Sequence, residues 1–217
     1  MTYAPPVVLV APSGAGKTTL ARRLVAGSDR FVFSISATTR APRPRETDGV
    51  DYSFVSKGDF EAMIAAGELV EWATVHGRLY GTPRAALEAA ASKGEHVVLD
   101  IDVQGARQIK VSAPDARLIF IVPPSVEVLM TRLAGRGTEA AAEVERRLRS
   151  ALDELDAASE FEHRLVNDDL GQCLRDIERI VMGKPEDAVS TVPLQDIDVL
   201  RAGIARILEE EYQGVGN

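Results

Sequence analysis

The chain is poor in the residues that build disulfides and metal centres. Its 217 residues include one cysteine, Cys173, and three histidines, His76, His96 and His163. A single thiol excludes an intramolecular disulfide and fits a reducing compartment. The histidines are scattered without ligand spacing, so no Cys/His metal site is expected. Apolar runs are short. Leu118–Val122 is typical and far below the roughly 20 residues that cross a bilayer. No basic stretch precedes an apolar one at the N-terminus, so no signal peptide is expected. Positive charge is also scarce: 25 Lys and Arg stand against 33 Asp and Glu, a net charge of −8. A phosphate backbone would be repelled overall, which argues against a nucleic-acid binder. Any phosphate site must then be a local cluster of cations. There are no internal repeats or low-complexity tracts. These absences leave a cytoplasmic, soluble protein as the expectation, with one domain or one core carrying insertions.

What is present is a 45% hydrophobic chain whose apolar runs alternate with helical patterns. Strands are expected at Val7–Val10, Phe31–Ile35, His96–Ile101, Leu118–Val122 and Arg164–Val166. Helices are expected from the loop after the first strand to about Ala26, then at Pro83–Lys93, Gln104–Val111, Ser125–Ala134, Ala140–Ala158 and Gly171–Met182. Buried strands alternating with helices indicate an α/β fold with a mostly parallel sheet. Two segments break the rhythm. Residues 34–82 read as a small mixed α/β insert, with Tyr52–Val55, a helix near Asp59–Ala66 and Leu69–Val75. Residues 132–150 gather arginines around a Gly135–Gly137 break and read as a mobile cap. Lys184–Val192 reads as a linker. Beyond it, Ile197, Leu200, Ile204 and Ile207 mark one face of a helix.

The first strand runs straight into Ala11-Pro12-Ser13-Gly14-Ala15-Gly16-Lys17-Thr18-Thr19, followed by a helical pattern. Strand, glycine-rich turn and helix in that order form a phosphate cradle of backbone N–H groups and a helix N-terminus. Lys17 can reach the terminal phosphates, and the Thr18 hydroxyl can hold Mg²⁺. Ala11 stands where the first glycine of the P-loop pattern belongs. Ser36, Arg40 and Arg43 follow the second strand, and two guanidinium groups three residues apart suit forked recognition of a phosphate. Asp100 and Asp102 flank Ile101 at a strand's carboxyl end, where ligands bind in open α/β sheets. They could order a Mg²⁺ hydration shell, accept a ligand N–H, or cap the next helix. Glu71, Tyr80 and Thr82 could read a base edge or hold a phosphate, whereas Trp72 reads as core.

Seven stretches then add up to a family. APSGAGKTT, FSISATTRAPRPRETDGVDYSFV, LVEWATVHGRLYGTP, VVLDIDVQGARQIK, IFIVPPS, RLAGRGTE and LVNDDL occur in the order of the guanylate kinases. The chain resembles that family over about residues 5–183. The resemblance implies a P-loop NTPase core at about 1–33, 83–131 and 151–183, a GMP-binding insert at 34–82, a lid at 132–150, and a linker with an amphipathic helix at 184–217. It implies Mg²⁺-dependent transfer of the γ-phosphoryl group of ATP to GMP. The expected ATP set is Ser13, Gly14, Ala15, Gly16, Lys17, Thr18, Thr19, Arg132, Arg136 and Asn167, with Asn167 near adenine. The expected GMP set is Ser36, Arg40, Arg43, Tyr52, Glu71, Tyr80, Thr82, Asp100 and Asp102. Within it, the arginines and tyrosines take the phosphate and Glu71 takes guanine N1 and N2. Lys17, Arg40, Arg136 and Arg147 are the expected catalytic cations, and Thr18 and Asp100 the expected metal contacts. Departures are Arg45 for the usual glycine, Arg78-Leu79 for the common Asn-Tyr, and Thr82 for the usual serine. Two other classes fit parts of the pattern. A non-catalytic guanylate-kinase-like module would have lost phosphate-loop residues, and a kinase of phosphorylated sugars would lack the guanine-reading set. The guanidinium groups are expected to repel one another in an empty site.

Overall fold

The computed structural model describes residues 4–44, 46–75, 77–134 and 141–212. They divide into two compact units. One is the described part of Met1–Val8 with Ala21–Arg117, and the other is Leu9–Leu20 with the described part of Leu118–Asn217. The division passes through the first strand, β1 (Val7–Val10), all four residues of which are buried.

In the first unit, β2 (Phe31–Phe33) pairs in parallel with β7 (His96–Asp100), and the strand order is β2-β7-β1. A second sheet has the order β4-β3-β6-β5, from β3 (Ala37–Thr38), β4 (Ser53–Phe54), β5 (Leu69–Val75) and β6 (Arg78–Pro83). Helix α2 (Lys57–Ala65) lays Phe60 on that sheet, against Ala37 and Leu69. Helices α3 (Arg84–Lys93) and α4 (Val103–Ser112) flank β7 in sequence. α3 ends at Gly94, whose φ of 72° closes the helix in the left-handed region.

In the second unit the order is β1-β8-β9, and β8 (Arg117–Val122) runs parallel to β9 (His163–Val166). Helix α1 (Lys17–Gly27) begins in this unit. Helices α5 (Val126–Leu133), α6 (Ala141–Asp156), α7 (Leu170–Val181) and α8 (Leu194–Tyr212) complete it, with short 3₁₀ turns at Ala157–Glu160 and Pro185–Asp187. α5 and α7 start on side-chain caps, Ser125 accepting from the Val128 N–H and Asp169 from that of Gln172. Each cap satisfies a donor that the first turn leaves open.

Four sequence expectations change. The second strand stops at Phe33, two residues short of Ile35. Trp72 is not core: β5 is an edge strand of its sheet, and the residue is 40% exposed. The C-terminal helix buries Ile197, Leu200, Ile204 and Leu208 and leaves Ile207 half-buried, although both 207 and 208 continue the same face. The stretch 184–192 is more than a linker. The Ser190 N–H donates to the fully buried Asp176 at 2.8 Å, Thr191 bridges to Leu165, and Val192 N donates to Arg164 O. α8 then packs on α5 and α6. Gly203 lets it approach α5 closely, since a Cβ there would lie 2.7 Å from Val126 Cγ2.

Candidate functional site

The residues singled out in the sequence fall into two groups, one in each unit, and each group is built from a different local device. In the second unit the loop after β1 turns through Gly14 (φ 88°) and Gly16 (φ 92°), conformations that side chains rarely adopt. The Ala15 N–H closes the turn on Pro12 O at 3.0 Å, and Leu20 N begins the helical ladder on Gly16 O. There is no room for a side chain at Gly16, because a Cβ would meet Asn167 Nδ2 at 2.5 Å. Ala11, at the usual first glycine, is 4% exposed, so its methyl belongs to the core. Lys17 opens α1, which has no acidic residue in its first turn. A cation at a helix N-terminus opposes the helix dipole, an arrangement that favours a bound anion.

Around this loop lies a cavity of about 660 Å³, lined among others by Lys17, Thr18, Arg132, Arg147, Glu154 and Asn167. Asn167 is 5% exposed and donates its amide to Ala15 O at 2.8 Å. Arg132 reaches the carbonyls of Ala15 (3.3 Å) and Asn167 (3.4 Å). Both side chains therefore brace the loop backbone. Helix α6 meets the loop at one residue twice: Arg147 Nε donates to Ser13 Oγ at 3.2 Å, and Ser13 N donates to Glu154 Oε2 at 3.0 Å. Arg147 Nη1 also donates to Leu133 O. Arg147 and Glu154 are seven residues apart, two helical turns, and so share a face. Glu154 was not singled out in the sequence, although that spacing from Arg147 was there to be read. Arg136 lies outside the described residues, as does Arg45.

The first unit holds the second group. β5 and β6 are antiparallel, with Glu71 directly opposite Thr82. Thr82 Oγ1 donates to Glu71 Oε1 at 2.6 Å, and both side chains are buried, Glu71 being 4% exposed. A β-bulge between Leu69 and Glu71 makes this possible. Gly81 faces Leu69 and Phe60, while its neighbour Thr82 faces Glu71 on the other side. The bulge thus lets Leu69 join the core and still turns Glu71 away from it. Gly105 of α4 backs against the carboxylate, since a Cβ there would lie 3.0 Å from Glu71 Cδ. α4 is tied to the edge strand by Gln108, whose amide donates to Trp72 O (2.7 Å) and accepts from Trp72 N (3.1 Å), satisfying open backbone groups of β5.

Alternation puts Tyr80 on the same face of β6 as Thr82. Its hydroxyl accepts from Arg40 Nε at 3.2 Å. The Arg40 guanidinium also stacks near Tyr52 (5.2 Å to the ring centroid) and Phe54 (5.7 Å). Arg40 is not left facing other cations. Glu46 takes it in a fork, Nη1 to Oε2 at 2.8 Å and Nη2 to Oε1 at 2.9 Å, an acidic partner that the expected substrate sets did not include. The same carboxylate accepts from the backbone N–H of Arg43 at 2.7 Å. The hydrogen bond from Arg40, helped by that of Arg43, holds the Glu46 carboxyl below its usual range, and the bond to Glu46 raises Arg40 above its own. Glu46 is the second functional candidate that the sequence reading missed. The Arg43 side chain is exposed, and Ser36 precedes β3, where its carbonyl accepts from Ser53 N. Asp100 ends β7. Asp102 caps α4, its Oδ1 accepting from Gly105 N at 2.8 Å.

The guanylate kinase family model matches residues 3–184. A guanylate kinase of Rhodococcus jostii is 46% identical over 85% of this chain and 90% of its own length. One of Leifsonia xyli is 50% identical over 82% of this chain and 71% of its own. The crystal structure of guanylate kinase from Anaplasma phagocytophilum superposes with a TM-score of 0.70 at 31% identity, covering 91% of this chain and 94% of that one. A phosphate loop and a buried carboxylate–hydroxyl pair on a separate small sheet, with these relatives, place the chain in the guanylate kinase family.

Proposed function

We propose that the chain catalyses transfer of the γ-phosphoryl group of ATP to GMP, yielding ADP and GDP. The observation that carries the acceptor assignment is the buried Glu71–Thr82 pair. A carboxylate shielded from water, with one oxygen held by a hydroxyl, suits the N1–H and N2–H₂ of guanine. Ser36 and Asp102 complete the base set, and Arg40, Arg43, Tyr52 and Tyr80 take the phosphate. In the other unit Lys17 and the loop from Ser13 to Thr19 take the ATP phosphates, with Arg132, Arg136 and Arg147 joining them and Asn167 on the adenine side. The second pKa of a phosphate monoester is about 6, so the acceptor is mostly a dianion at neutral pH and needs no general base. Catalysis is then positioning and charge stabilisation by Lys17, Arg40, Arg136 and Arg147.

Mg²⁺ fits the residues. The Thr18 hydroxyl at the first turn of α1 and the Asp100 carboxylate at the end of β7 are hard oxygen donors. Among the described residues no cluster of three or more His, Cys, Asp or Glu could hold a metal by itself. Bound by Thr18 and Asp100, Mg²⁺ would neutralise phosphate charge. No helix among the described residues is long and apolar enough to cross a membrane.

The test is ATP consumption against a panel of acceptors. GMP alone among GMP, AMP, UMP and a sugar phosphate should sustain rapid ADP release. Turnover only with the sugar phosphate, or with none, would replace this reading by one of the other two classes.

Gly105→Ala is a sharper probe of the acceptor side. Its methyl would press on the Glu71 carboxylate, and over-packing of this kind costs about 1–3 kcal/mol. Steady-state kinetics should show KM for GMP raised about 10-fold or more, with KM for ATP nearly unchanged.

A further inference from the structure

Glu46 lies outside both the expected substrate sets, yet it is the principal partner of Arg40. The side chains of the two residues are only 14% and 19% exposed, and two of the three bonds that Glu46 accepts come from the Arg40 fork. The third, from the Arg43 N–H, pins the turn that carries the other phosphate arginine. A guanidinium has five hydrogens. In Arg40, Nε–H is used on Tyr80, the two on Nη1 on Ala41 O and Glu46, and one on Nη2 on Glu46. One hydrogen on Nη2 remains. Tyr80, having accepted from Arg40, keeps its own hydroxyl hydrogen to donate.

We propose that Glu46 is a positioning residue for the acceptor phosphate: it fixes the Arg40 guanidinium so that the Tyr80 hydroxyl and the remaining Nη2 hydrogen are offered together to one phosphate. The inference rests on the GMP reading of this half-site. Without Glu46, the long Arg40 side chain regains rotamer freedom, and the fork that aims it is lost. A phosphate must then order it on arrival, which costs affinity. A neutral amide at position 46 keeps the shape but returns only one acceptor oxygen and no charge, so Glu46→Gln removes the fork with little change in volume.

The experiment compares calorimetric binding of GMP and of guanosine, which has no phosphate, to the full chain and to its Glu46→Gln and Glu46→Asp variants. GMP affinity should fall about 10-fold or more in Glu46→Gln, the size expected for losing a charge-assisted bond, while guanosine affinity stays within about 2-fold. Glu46→Asp, which keeps the charge at shorter reach, should fall between. KM for GMP should rise in parallel with KM for ATP unmoved. Equal or tighter GMP binding in Glu46→Gln overturns the proposal, the tighter case showing that the carboxylate competes with phosphate. Parallel loss of GMP and guanosine also overturns it, since Glu46 would then only hold the fold of the half-site. Failure of the parent chain to bind GMP would instead remove the acceptor assignment itself.

Discussion

Lys17→Ala is expected to lower kcat at saturating ATP and GMP by roughly 100- to 1,000-fold, the usual effect of removing one donor from an anionic transition state. Stability should not follow. Lys17 is only partly buried at the first position of α1, in a helix turn with no acidic neighbour to offset the dipole. Alanine is the better helix former, and removing a cation from a helix N-terminus relieves an unfavourable interaction. Any lost surface ion pair is worth about 1 kcal/mol or less. The thermal midpoint should therefore stay within roughly 2–4 °C of the parent. Lost turnover with a retained midpoint is the signature of a phosphate-site lysine. Near-parental turnover would remove Lys17 from the mechanism, and a collapsed midpoint would make the residue structural.

The same contrast between local and distant information explains what the sequence disclosed. The phosphate loop was legible because its device is local: a buried β-branched strand, glycines at the two positive-φ positions Gly14 and Gly16, and a helix start at Lys17. The parallel core and most helix positions were legible for the same reason, through the alternation of apolar runs with helical patterns. What escaped depends on partners far along the chain. Trp72 looked like core because its composition does; that β5 is an edge strand braced by Gln108 is set 36 residues later. β3 is two residues long and has no pattern to read; it exists because β6 and β4 pair with it. Glu46 and Glu154 carry no motif of their own and look like ordinary surface acids. Only the fold shows that one forks Arg40 and the other takes the Ser13 N–H, 141 residues away.

Base choice is where the buried chemistry of the first unit should show most clearly. Guanine presents an N1–H and an exocyclic amine to Glu71; adenine presents an unprotonated N1 and cannot supply that pair of donors to the carboxylate. Glu71 is 4% exposed and Thr82 already serves Oε1, so water cannot readily replace the lost partners. A buried polar group left unpaired costs about 1–3 kcal/mol, more when it is charged. That is a preference for GMP over AMP of roughly 5- to 150-fold for this contact set alone, read as the ratio of kcat/KM values. Glu71→Gln should erase most of it. The amide can still accept from one guanine donor, but its NH₂ then confronts the other and also displaces the Thr82 hydroxyl from a donor to an acceptor role. KM for GMP should rise about 10- to 100-fold, the worth of one charge-assisted bond. KM for ATP should hold, because the loop proposed to take ATP is built from other residues. Thr82→Val separates the two halves of the argument. It leaves the carboxylate in place but removes its fixed donor, so GMP should weaken less than in Glu71→Gln while the preference over AMP persists. Equal kcat/KM on AMP and GMP in the parent chain would refute Glu71 as the base reader, and an unchanged KM for GMP in Glu71→Gln would show that the buried pair serves the sheet and not the substrate.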